Sequence, residues 1–160
     1  MKLFHGSPSD TAPVVKVGAY AMAGENVFDG LFASASFDSA ASHGGNVVYT
    51  YEVADEKIAE SRDLDARFEE VYTFLRDELE IDDVEEIADR IMWDNDRDIM
   101  DFFEIISPRM AGCDIDEAAA SWELQRLRGR VAAHLGFDAV EMDDEHGTSY
   151  LIVNPKIIAE

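Results

Sequence analysis

Between Trp122 and Pro155 the chain changes from a helical to an extended period, and this change limits the folds open to it. Leu124, Leu127, Val131 and Leu135 recur at three and four residues, which predicts one apolar stripe on a helix. Gly136 is placed to stop that helix in the left-handed conformation glycine adopts readily. Phe137 to Met142 then reads as a strand, and Tyr150 to Val153 as a second strand that Asn154-Pro155 ends. Between them Met142-Asp143-Asp144-Glu145-His146-Gly147 holds more ionisable side chains than a plain turn needs, so chemistry is expected there.

The amino-terminal part supplies the other strands. Lys2 to His5 is a short strand running into the breakers Gly6-Ser7-Pro8-Ser9-Asp10, where the Gly-Ser step leaves backbone groups open to a ligand. Thr11 to Asn26 reads as loop, with a short strand at Val14 to Val17. If Gly30 to Ser36 is extended, Phe32 and Ser34 share a side. Asp38 to Ser42 is expected to be a short helix capped by Asp38 and ending at His43-Gly44-Gly45. Val47 to Val53 alternates as a strand does.

Asp55 to Ala120 reads as helical. One stripe holds Phe68, Val71, Tyr72, Leu75 and Leu79, and another holds Val84, Ile87, Ala88, Ile91 and Met92. Ile99 to Ile106 forms a third short helix that Pro108 closes. Strands at both ends and helices between them predict one α+β domain over residues 1–160, with the helical segment 55–120 inserted between the halves of a small sheet.

Charge narrows the partners. From Asp55 to Glu117 there are 23 acidic and 7 basic residues, a net of −16 out of −22 for the chain. That field opposes direct binding to nucleic acid or an anionic membrane and favours a basic protein partner; otherwise it is a solubilising surface. No apolar run reaches the ~20 residues of a membrane span, and Met1-Lys2-Leu3-Phe4 meets His5-Gly6-Ser7-Pro8 without the apolar core of a signal peptide. The single cysteine, Cys113, allows neither an internal disulfide nor a cysteine-based zinc site and fits a reducing cytoplasm. His43, Asp143, Asp144 and His146 have no recognised metal spacing, so no metal is expected. Arg126, Arg128 and Arg130 are candidates for phosphate or partner contacts, with solvation or pairing to nearby acids as the plainer role. A glycine-rich phosphate loop of either standard type is absent.

His5-Gly6-Ser7 at the end of a first strand, Gly30-Leu31-Phe32-Ala33-Ser34 before a Ser/Ala helix, and a late acidic strand end resemble the ADP-ribosyltransferase fold in its histidine-containing branch. The similarity is closer to the phage anti-CRISPR ADP-ribosyltransferases that inactivate the type I-F surveillance complex. It rests on Leu3-Phe4-His5-Gly6-Ser7, Gly30-Leu31-Phe32, Ser42-His43-Gly44, the block from Trp122 to Gly129, and Val140-Glu141-Met142 with Asp144-Glu145-His146-Gly147-Thr148. It spans roughly Met1 to Gly44 and Trp122 to Tyr150, not the acidic middle.

The resemblance implies a small split antiparallel sheet holding NAD, with His5, Gly6, Ser7, Gly30, Phe32, Ser34 and His43 about the dinucleotide. His5 would bond the nicotinamide ribose, the Gly6 backbone would meet the carboxamide, Phe32 would lie against the ring and Ser34 would support the pocket. Asp144 matches the acid on which activity depends, with His5 as its catalytic companion. In many relatives the working glutamate opens the strand that here begins Ser149-Tyr150, so Asp144 must serve instead, with Glu141, Asp143 and Glu145 as rivals. The chemistry needs such an acid: breaking the nicotinamide–ribose bond develops positive charge on the sugar, which a nearby carboxylate stabilises. The implied function is mono-ADP-ribosylation of a surveillance-complex subunit in the host cytoplasm, blocking DNA recognition. The alternatives are an acidic DNA mimic without enzymatic activity, and a transferase with another host target.

Overall fold

The computed structural model describes residues 1–18, 29–44, 47–106, 116–144 and 147–160. Strand β1 (Lys2–Ser7) pairs antiparallel with β3 (Val47–Glu52), Leu3 opposite Tyr51 and His5 opposite Tyr49. A second sheet has the order β2-β6-β5-β4, built from β2 (Leu31–Ala33), β4 (Ile58–Ala59), β5 (Ala139–Asp144) and β6 (Gly147–Ile152). Its pairs are antiparallel except β4 with β5, which run parallel. Among the described residues the main-chain link between the sheets is one isolated bridge, in which Phe4 and Ser34 exchange hydrogen bonds of 2.7 and 2.8 Å.

Strand alternation distributes β6 between two cores. Leu151 and Val153 join Val140 and Met142 against the helices, whereas Tyr150 and Ile152 join Ala139 in a second cluster with Leu3, Tyr51 and Val53 of the first sheet. The helical core is made by α3 (Phe68–Leu79), α4 (Glu85–Met92) and α6 (Glu117–His134), flanked by α2 (Ser61–Asp65) and α5 (Phe103–Ile106). Both apolar stripes expected in the acidic middle face it: Val71, Leu75 and Leu79 from one, all five members of the other. The stripe of α6, Leu124, Leu127, Val131 and Leu135, packs there as well. Gly136 follows with φ +86°, as expected of a glycine past a helix end.

Several local expectations are corrected. Segment 55–120 is not helical from its start: a 3-10 turn at Asp55–Lys57 leads into β4, too short to show a period of two. Val14 to Val17 forms no strand, although Val15 is buried in the second core. The helix after β2, α1 (Phe37–Gly44), starts before Asp38, and the Ser36 hydroxyl accepts from the Ser39 amide at 3.3 Å, so Ser36 is the cap. Residues 45–46 lie outside the described part. The apolar turns 99–106 do form, as a 3-10 turn at Ile99–Phe102 and then α5.

Tyr51 ties the loop 11–17 to the first sheet. Its ring is fully buried and its hydroxyl donates to the Pro13 carbonyl at 2.7 Å. Burial first, and then Tyr49, pushes the phenol up to about 12. Because the folded value lies above the unfolded one near 10, this stability is complete below about pH 10 and is lost as pH rises through the folded value. Thermal melts are expected to show Tm falling between about pH 10 and 12. Tyr51→Phe should flatten that limb and lower neutral-pH stability by about 1 kcal/mol; an unchanged alkaline limb in the variant would assign it to other groups.

Candidate active site

The strands part at the Phe4–Ser34 bridge, and a cleft of about 300 Å³ opens there. Its walls come from four separated pieces of chain: Phe4, His5 and Gly6 of β1; Phe32, Ala33 and Ser34 at β2; Ser39, Ala40 and His43 of α1; and Thr148 and Ser149 of β6. The α1 contribution follows from helical spacing, since His43 lies four residues after Ser39 and three after Ala40, and positions so spaced are neighbours on a helix surface. That helix is seated on β1 partly through an edge-to-face contact of Phe37 with Phe4, ring centres 5.7 Å apart.

Main-chain carbonyls orient both imidazoles. The His5 Nδ1 lies 2.6 Å from the Phe32 oxygen. A carbonyl can only accept, so Nδ1 carries the proton and the Nε2 of neutral His5 is an acceptor suited to a ligand hydroxyl. His43 Nδ1 is 2.7 Å from the Ser39 carbonyl and is protonated for the same reason. Ser34 Oγ accepts from the Ser36 amide at 3.0 Å, which fixes the turn between β2 and α1.

Of the residues expected at the cofactor, His5, Gly6, Phe32, Ser34 and His43 therefore line one cleft. Ser7 and Gly30 are not on its described wall. Ser7 is buried, its hydroxyl accepting from the Ser9 amide at 3.2 Å. Gly30 has φ +146°, and a Cβ there would stand 2.7 Å from the Ile152 carbonyl oxygen. Its role is to let β2 run close against β6.

The candidate acids lie at the end of β5. Asp144 is the last residue of the strand, its backbone opposite Gly147 and next to the Asp143–Thr148 pair. Its side chain, with Glu145 and His146, lies outside the described part. Asp143 is exposed, and its amide donates to Asp94 Oδ2 at 2.8 Å. Glu141 pairs with Tyr150 and is not on the cleft wall. Burial first, then Glu60 and Asp143, holds its carboxyl above the ordinary glutamate range, with Arg128 opposing. Burial, followed by Glu141 and Glu60, likewise raises the Tyr150 phenol.

The three arginines have interior work. Arg126 and Arg130 donate to Asp29 Oδ2 at 2.9 and 3.3 Å. Arg126 also bonds Glu123, and Arg130 lies 2.7 Å from Glu78. The buried Arg128 donates to the carbonyls of Ile91, Met92 and Glu141 and to the Ser61 hydroxyl. The expectation of pairing with nearby acids holds for Arg126 and Arg130; Arg128 instead crosslinks main chain between α4 and β5. None of the three lines the cleft.

The sequence model of the anti-CRISPR type I-F ADP-ribosyltransferase family, AcrIF11, matches residues 1–160. The chain belongs to that family. A solved structure described as a crystal structure of an anti-CRISPR protein is similar at 28% identity and a TM-score of 0.65, over 100% of this chain and 93% of the other. No curated protein matches the chain significantly. Membership in this transferase family makes the chain an ADP-ribosyltransferase, which implies NAD as co-substrate and favours enzymatic action over the charge-mimic alternative. Among the described residues no helix is long and apolar enough to cross a membrane, and no three potential ligands cluster as a metal site.

Thr148, within the late motif, and Ser149, where relatives place a glutamate, have no site role in the sequence reading, yet both line the cleft. Their available signal was position, at the start of the strand paired with the acidic one.

Proposed function

We propose that this family member transfers ADP-ribose from NAD onto a protein subunit of a type I-F CRISPR surveillance complex in the host cytoplasm and thereby blocks DNA recognition. One observation carries the reading: His5, Gly6, Phe32, Ser34 and His43, distant in sequence, share a cleft that the late β6 strand completes. Its size suits the nicotinamide and adjoining ribose, near the lower end of small-molecule sites. NAD supplies the ribose carbon and the nicotinamide leaving group. His5 Nε2 accepts from a ribose hydroxyl, the Gly6 backbone meets the carboxamide, Phe32 packs on the ring and Ser34 buttresses the wall; His43 completes the site from α1, while Ser7 and Gly30 support it from behind the wall.

Asp144 acts as the working acid, stabilising positive charge on the sugar and aiming the acceptor. The backbone register supports this choice, since Asp144 ends the strand paired with β6, two positions beyond Met142, which pairs with the cleft residue Ser149. The chain acts as one domain, with segment 55–120 as an insertion between the sheet halves. Exposed acids of that insertion, among them Asp77, Glu80, Asp82, Asp83, Glu85 and Glu86, favour approach to a basic, nucleic-acid-binding target. On that target an anionic adduct excludes DNA phosphates. Intact mass spectrometry of purified surveillance-complex subunits after incubation with the protein and NAD tests the proposal. A gain of one ADP-ribose on a subunit, with loss of DNA binding, is expected. Inhibition without any mass gain would restore the charge-mimic reading, and a labelled band elsewhere in a host lysate would redirect the target.

A further inference from the structure

The walls of the cleft are not equally satisfied. His5, Ser34 and His43 each have a polar atom bonded to nearby main chain. Ser149 differs: its Oγ is buried and has no hydrogen-bond partner among the described residues. A buried hydroxyl prefers a partner, and Ser149 is one of the residues that line the cleft. Its strand partner is Met142, two residues before Asp144, while Phe32 pairs with Leu151, two positions further along β6.

Resting on the NAD reading above, we propose that Ser149 is a substrate-binding residue whose hydroxyl bonds a hydroxyl of the nicotinamide ribose. The sugar is favoured over the carboxamide because Ser149 stands on the strand paired with β5, which ends in the candidate acid, whereas the Gly6 backbone proposed to meet the carboxamide belongs to β1. Ser149 orients the ribose and leaves charge stabilisation to another residue. A neutral donor-acceptor is suited to that division, since a hydroxyl both gives and receives a hydrogen bond.

Calorimetric NAD titrations and melts of the ligand-free protein, on wild type and Ser149→Ala, test this. Ser149→Ala is expected to bind NAD roughly three- to tenfold more weakly, while its ligand-free Tm is unchanged or raised, because an unpaired buried hydroxyl has been removed. A role confined to packing would instead lower Tm and spare affinity. NAD analogues lacking the 2′- or the 3′-hydroxyl of the nicotinamide ribose close the cycle: one of them should lose affinity for wild type and lose little further for Ser149→Ala. Wild type that binds NAD, together with a variant that binds it equally well, overturns this inference alone. So do equal losses for both proteins with both analogues. Wild type that binds no NAD overturns the parent reading with it.

Discussion

Asp144→Ala is expected to lower the rate of ADP-ribose transfer by roughly 100- to 1,000-fold, the loss found when one preorganised electrostatic stabiliser is removed from an active site. Affinity for NAD should change little, because His5, Gly6 and Phe32 remain on the wall. The loss therefore falls on kcat rather than KM, the signature of an interaction made mainly in the transition state. Glu141→Gln is the matched control. Glu141 lies off the cleft wall, and burial with neighbouring acids already holds its carboxyl above the normal range. A group raised in this way contributes its stability below its unfolded pKa and loses it as pH climbs through the folded value. At neutral pH its charge is a burden, so Glu141→Gln is expected to melt slightly higher than wild type and to turn over at a near-normal rate. The reverse pattern, an inactive Glu141→Gln beside an active Asp144→Ala, would move the catalytic role to Glu141.

The second large effect concerns folding. Asp29 is fully buried and accepts from Arg126, Arg130 and the Gly18 amide. Asp29→Ala would leave two guanidiniums without their shared counter-charge in the interior, which typically costs about 3 to 5 kcal/mol. Against a total of about 5 to 15 kcal/mol for a domain, that is a large share. Denaturant titration is expected to show a much lower midpoint, and Tm to fall by roughly 10 °C. Asp29 directly precedes Gly30 and β2, so the cleft wall at Phe32 is the part expected to loosen first. A variant as stable as wild type would mean that water replaces the carboxylate.

What the sequence disclosed and what it withheld differ in physical range. The alternation of Val47 to Val53, the helical stripes and the turn at Gly136 are local patterns, and each reappears in the fold. His5, Gly6, Phe32, Ser34 and His43 were found through motif resemblance, because nothing in local periodicity says that Phe4 will bridge Ser34. The arginines of α6 were ambiguous because their partners are far away: Asp29 lies 97 positions from Arg126, and the Arg128 contacts at Ile91 and Met92 lie 37 and 36 away. β4 was missed because two residues paired parallel to β5 display no alternation. Ser149 is legible in the sequence only as a place without a carboxylate, because a serine gains chemical meaning only once its surroundings show that its hydroxyl lacks a partner among the described residues.

Among the described residues, a single reciprocal pair of amides and carbonyls links the main chains of the two sheets, beside the apolar core they share. NAD lodged in the gap would touch both at once and act as a staple across a seam. Its arrival should therefore be readable in exchange of the Phe4 and Ser34 amide hydrogens with deuterium, slowed well beyond any change in the helices packed on the far side of the β6 sheet. Equal slowing throughout the protein would mean that the seam opens only when the whole molecule does.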